Sequence, residues 1–200
     1  MNIYTVIDTN VIVASMLTSN PQSATKSIIN KVWEGTITPM INAEIIEEYN
    51  DVLSRDKFHF VESDILEMMN LFRFKGEEYT PDYKSNDFID SDDAIFYETY
   101  RMREDAYLVT GNMKHFPTEP RILPPADMIH IANISENGNN ILSEPTAEYI
   151  SAIKKEQLQR AWEAMERMRA SAAANGIADM PMEEIDEEIK SARLNRRKQF

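Results

Sequence analysis

The sequence predicts an α/β domain on a parallel sheet, followed by a helical extension, and three observations carry that prediction. Short uncharged runs of strand-forming residues, such as Ile3 to Ile7, alternate with helical patterns of about 10 to 15 residues, and parallel neighbours need crossovers of that kind. Two of the runs stop at polar groups, Asp8-Thr9-Asn10 and Thr110-Gly111-Asn112, as expected of strands whose carboxyl ends border a common cleft. Finally, a stretch with Ser, Asn, Gly and Pro, residues 133–146, separates a first domain (1–132) from purely helical sequence over 147–200.

Each element has a local reason. Ile3 to Ile7 reads as a buried strand delivering Asp8 to its exit, where Asp8 is either a ligand or the N-cap of the next helix. Asn20-Pro21 predicts a helix start with Pro in the first position, carrying Ala24, Ile28, Ile29, Val32 and Trp33 until Gly35. Thr36 to Ile41 reads as the next strand, and Asn42 as the cap of a helix with Ile45, Ile46, Tyr49, Val52 and Leu53 inward. At about 100° per residue, Glu48 falls at the edge of that buried face while Glu44, Glu47 and Asp51 point to water. Ser63 is expected to cap a helix with Ile65, Leu66, Met69 and Phe72, Glu77 to Lys84 to be extended, and Asp90-Ser91 to open a helix with Asp93 in its first turn. Ala106 to Thr110 and Ile122-Leu123 complete the strands, and Pro124-Pro125 starts a helix ending near His130. Beyond 146, a helix with Leu158, Ala161, Trp162, Met165 and Met168 stops at Asn175-Gly176, and a last one after Pro181 carries Ile185, Ile189 and Ala192. The acidic start and basic end of that last helix suit its dipole.

Composition bounds the chemistry. No cysteine is present, which excludes disulfides, thiolate metal sites and cysteine catalysis. No stretch approaches the roughly 20 apolar residues of a membrane span, so a soluble, cytoplasmic protein without membrane partners is expected. The net charge of −13 resides in residues 1–144, whereas 145–200 is neutral. Such a surface repels nucleic acid, so a polyanionic substrate needs divalent cations or a local basic patch.

Asp8, Glu48 and Asp93 stand at comparable places, and their convergence would be costly. At about 5 Å separation and an effective dielectric of about 20, each like-charged pair costs roughly 3 kcal/mol, so three rival the roughly 5–15 kcal/mol stability of a domain. Such a cluster must take up a proton or a cation, and carboxylates without cysteine favour Mg²⁺ or Mn²⁺ over Zn²⁺.

Four segments in this order resemble the PIN domain ribonucleases, specifically those that act as toxins of bacterial toxin–antitoxin pairs. They are Val6-Ile7-Asp8-Thr9-Asn10-Val11; Glu47-Glu48-Tyr49 with Val52-Leu53-Ser54-Arg55; Asp90-Ser91-Asp92-Asp93 with Phe96; and Leu108-Val109-Thr110-Gly111-Asn112 with Lys114-His115-Phe116-Pro117. The resemblance covers residues 3 to about 125. It implies a three-layer α/β/α fold, with Asp8, Glu48 and Asp93 as catalytic metal ligands for Mg²⁺ or Mn²⁺, and Asn10 and Thr110 as supporting groups. Where many members carry a last acid after Thr-Gly, this chain has Asn112, an amide that can coordinate or orient water but brings no charge. Asp90 is either a compensating ligand or only a cap. Lys114 is a candidate phosphate contact, whereas His115 and His130 read as structural or peripheral and His59 carries no signal.

The implied activity is metal-dependent endoribonuclease cleavage, with an antitoxin as partner and a homodimer as an expected assembly. The alternatives are a catalytically weakened PIN-like RNA-binding or regulatory module, and an aspartyl-phosphate phosphatase. The latter wants an acid two residues after Asp8, where Asn10 stands. Residues 180–189 with Arg193 resemble partner-binding tails of antitoxins, so the tail either completes the hydrophobic surface as an ordinary appendage or brings an arginine to the acidic cleft.

Overall fold

Five short strands, β1 (Ile3–Ile7), β2 (Ile37–Ile41), β3 (Glu77–Glu78), β4 (Tyr107–Val109) and β5 (Ile122–Leu123), pair in parallel in the order β3-β2-β1-β4-β5. The computed structural model describes residues 2–82, 92–138 and 148–198, the backbone alone for 136–138 and 148–154. Ile3 sits opposite Ile37 on one side of β1, and Ile7 opposite Val109 on the other. β1 is central, and all five of its residues except Tyr4 are buried. The chain runs outward from β1 through β2 to β3, then returns to add β4 and β5. The order therefore reverses between β1 and β4, and the carboxyl ends of those two strands border the crevice where open α/β sheets bind ligands.

The helices α1 (Thr9–Leu17), α2 (Ala24–Glu34), α3 (Ala43–Leu53), α4 (Glu62–Lys75), α5 (Ala94–Arg101) and α6 (Pro125–Gly138) flank the sheet, giving the α/β/α arrangement. Asn42 caps α3 as its sequence position requires, its side-chain oxygen accepting from Ile45 N at 2.9 Å. Gly35 closes α2 at φ 91°, a left-handed conformation that glycine adopts without strain.

Besides the start of α5, three element boundaries differ from expectation. Asn20-Pro21 does not open α2, because the Asn20 side chain accepts from Gln22 N and folds the segment into a turn; α2 begins after Ser23. Helix α4 starts at Glu62, which leaves Ser63 inside its first turn. Helix α6 continues past His130 to Gly138, since no Gly or Pro interrupts residues 126–137 and Met128 and Ala132 are buried along it. Residues 133–138 of the expected linker are thus helical, and the rest of it lies outside the described residues.

Two long helices follow, α7 (Glu148–Ala174) and α8 (Met182–Arg197). Both belong to the same core: Ala161, Met165, Met168 and Ala172 of α7 and Ile185, Ile189 and Ala192 of α8 are buried with the sheet residues. Trp162 lies against Trp33, ring centroids 5.1 Å apart, and the Trp33 indole donates to Leu158 O at 3.3 Å.

Candidate active site

The polar exit of β1 is fixed first by the sheet. Asp8 N donates to Val109 O at 2.9 Å, holding the residue at the reversal between β1 and β4. Its carboxylate caps α1, accepting from Asn10 N at 3.4 Å, and also accepts from the Thr110 hydroxyl at 2.6 Å and the Asn10 amide at 2.9 Å. Capping and site membership coexist in one side chain. Asn10 in turn accepts from Gly111 N at 2.9 Å, so the two strand exits are stitched together by the residues expected to support the site. Gly111 also has a packing role, because a Cβ there would meet the end of Met182 on α8 at 2.6 Å.

The other two acids arrive from helices. Glu48 is only 2% exposed while its neighbours Glu44 and Glu47 face solvent, which is the outcome of the helical face angle. Its Oε1 accepts from the Thr9 hydroxyl at 2.6 Å. Helix α5 starts at Ala94 rather than at Asp90-Ser91, so Asp93 stands at its N-cap position rather than inside its first turn, and it is 3% exposed. His115, from the single 3-10 turn at Met113–His115, brings Nδ1 to 3.0 Å from Asp93 Oδ2.

What joins these acids is an arginine. The Arg193 guanidinium, carried by α8 and 6% exposed, donates from Nε and Nη2 to the two Glu48 oxygens at 3.1 and 2.8 Å, and from Nη1 to Asp93 Oδ1 at 2.9 Å. Such a forked, charge-assisted arrangement matches guanidinium to carboxylate geometry. Burial works against its charge, but Glu48, then Asp93 and Asp8, outweigh that and hold its pKa above the ordinary arginine value. Asp8 shows the opposite balance. Burial, with the nearby Asp93, pushes its carboxyl up to about 7 even though the Thr110 hydroxyl and Arg193 oppose the shift.

Helix α8 contributes a further acid. Asp186 accepts from Asn112 Nδ2 at 3.0 Å and lies 3.5 Å from Asn10 Nδ2, and Asn112 Nδ2 is also 3.0 Å from His115 Nε2. A carboxylate from the tail therefore sits on the amide that stands where a charged residue was expected. The space left among Asp8, Asn10, Asp93, His115, Asp186, Ile189, Lys190 and Arg193 is only about 10 Å³, the lower limit for one water. A cavity of about 570 Å³ between α3, α4 and β3 contains none of these acids.

Asp8, Glu48 and Asp93 are all oxygen donors, the type a hard divalent cation takes, and Glu48 and Asp93 are paired with the Arg193 guanidinium. Among the described residues no group of three His, Asp or Glu side chains is spaced to hold a metal around it. Asp90 lies outside the described residues. Lys114 is exposed and does not line the residual space. Sequence reasoning assigned no site role to Thr9, Asp186 or His115. The polar Asp-Thr-Asn exit was a usable signal for Thr9, whereas Asp186 reads simply as part of an acidic helix start.

The PIN domain family model aligns with residues 4–114, the segment containing β1, β2, β4 and all three acids. No curated protein and no solved structure matches the chain. PIN domains are in general nucleases, most of them dependent on divalent metals.

Proposed function

Because the chain belongs to the PIN domain family, we propose that it is a divalent-metal-dependent endoribonuclease that hydrolyses RNA phosphodiester bonds at Asp8, Glu48 and Asp93. The observation that carries this reading is that two buried acids, Glu48 and Asp93, pair with one cation, Arg193, whose charge a third buried acid, Asp8, also favours. Mg²⁺ or Mn²⁺ held by these carboxylates would supply Lewis acidity and a deprotonated water. The chain's own residues do the positioning. Thr110 and Asn10 fix the Asp8 carboxylate and Thr9 orients Glu48 through hydrogen bonds, and His115 Nδ1 lies 3.0 Å from Asp93 Oδ2. Such hydrogen bonds to ligating side chains set their orientation and basicity.

The finer reading, a cytoplasmic toxin paired with an antitoxin and able to dimerise, is supported by the motif resemblance at residues 3–125. Among the described residues, no helix is long and apolar enough to cross a membrane. A second reading, a weakened RNA-binding or regulatory module, is favoured by Asn112, which brings no charge to the site.

Cleavage of an RNA oligonucleotide with Mn²⁺, with a chelator control, tests the proposal in the full chain and in Arg193→Ala. Metal-dependent cleavage that falls at least 100-fold with Asp8→Asn or Asp93→Asn is expected. RNA binding without cleavage in both chains assigns the protein to the module class.

A further inference from the structure

Helix α8 makes two sets of charge contacts on opposite sides of one apolar stripe. Ile185, Ile189 and Ala192, at spacings of four and three, are buried against the domain. On one flank Asp186 and Arg193 meet the acidic site. On the other flank, Glu188 binds Arg55 Nε at 2.5 Å and lies 3.3 Å from Lys57 Nζ, while Glu184 binds Lys57 at 2.5 Å and Ser191 accepts from Arg55 at 3.3 Å. The Glu184 hydrogen bond holds the Lys57 ammonium above its ordinary value, and Arg55 and Lys57 outweigh burial to hold Glu188 below its own.

We propose that α8 is a displaceable internal pseudosubstrate: Arg193 takes the place of the divalent cation, and Glu184 and Glu188 take the place of RNA phosphates on a binding track formed by Arg55 and Lys57. The inference rests on the nuclease reading for the identity of the ligand, but the occupancy it describes does not.

Three arguments support it. Residues 1–144 carry a net charge of −13, so a polyanion needs a local cationic seat. Arg55 and Lys57 form one, and acidic side chains already occupy it. The same helix fills the acid site so closely that only about 10 Å³ remains, and neither a hydrated metal nor a phosphodiester enters while it stays. Finally, the attachment is electrical at both flanks, with Arg196 on Asp51 and Arg197 on Asp92, each at 2.7 Å, at its end. Desolvation offsets much of the attraction in a buried ion pair, so a divalent cation at the acids and a polyanion on the basic pair replace the contacts that α8 gives up. At about 1.5 Å per residue, Glu188 and Arg193 lie about 7.5 Å apart along the axis, so one short length of helix covers both sites.

The test is charge reversal in the full-length chain, read by Mn²⁺ binding in electron paramagnetic resonance and by metal-free binding of a single-stranded RNA oligonucleotide. Glu184→Lys with Glu188→Lys repels α8 from Arg55 and Lys57. Added positive charge by itself would weaken Mn²⁺ binding, whereas release of Arg193 strengthens it, so at least a tenfold gain in Mn²⁺ affinity is expected. Adding Arg55→Glu and Lys57→Glu restores the ion pairs in reversed sense and abolishes the gain. In the released chain, Arg55→Ala with Lys57→Ala lowers RNA affinity at least tenfold. Unchanged Mn²⁺ affinity in the double reversal, or a gain that the fourfold swap leaves intact, overturns the proposal. Gains in Mn²⁺ and RNA binding without cleavage leave the pseudosubstrate standing and remove the nuclease reading instead.

Discussion

Helices α7 and α8 follow one another across a tight turn yet hold the domain by different forces. α7 buries Ala161, Met165, Met168 and Ala172 and sets Trp162 at a tilt against Trp33, adding a bidentate Arg167–Asp64 pair at its side. α8 buries only Ile185, Ile189 and Ala192 as its apolar stripe and relies on ion pairs along both flanks. The turn between them is itself tied down, since Asp179 N donates to Leu17 O at 2.8 Å and its carboxylate accepts from Ser19 N at 2.8 Å. The contrast separates a helix held chiefly by core packing from one that adds ion pairs with the candidate site to a shorter apolar stripe. Apolar burial cannot be exchanged for a soluble ligand, whereas an ion pair can.

Substitutions break this comparison in order of size. Arg193→Ala leaves Glu48 and Asp93 without their cation, and removing one partner of a buried pair costs about 3–5 kcal/mol. Thermal unfolding is expected to fall accordingly without divalent metal and to recover on adding Mn²⁺. Met165→Ala empties a fully buried position on α7 and costs about 2–4 kcal/mol, with no recovery on adding Mn²⁺.

Asp8→Asn is expected to act in the other direction. The folded carboxyl titrates near 7 against an ordinary value of 3.8, so the folded state binds its proton more tightly than the unfolded chain does. Stability from this group is therefore full below about pH 4 and is lost as pH rises towards 7. Removing the charge should stabilise the protein by about 1–3 kcal/mol at pH 8 and by little at pH 4, measured by urea titration, while cleavage disappears. Arg196→Ala, which removes a half-exposed pair with Asp51, should cost less than about 1 kcal/mol.

Much of the fold and part of the site were legible in the sequence, because both depend on local periodicity. The uncharged run ending at Asp8 marks a strand exit, and the helical angle separates Glu48 from Glu47. The extension's two helices follow from their apolar spacing and from Asn175-Gly176 and Pro181. Less legible was anything that depends on how distant segments meet. The acidic start and basic end of α8 satisfy its own dipole, and this local explanation conceals that Arg193 reaches a residue 145 positions away. An ordinary appendage and an arginine in the cleft were alternatives on sequence, and α8 is both, since its stripe enters the core while its flank enters the site. His115, read as structural or peripheral, sits on Asp93 because a 3-10 turn folds it back, and such a turn leaves no periodic signal.

Hydrogen exchange of α7 and α8 amides, with and without Mn²⁺, tests the central claim most directly. If the acids form a cation site that α8 covers, Mn²⁺ should accelerate exchange across residues 182–197 severalfold and leave 155–174 unchanged. Equal protection of both helices at saturating Mn²⁺ would contradict it.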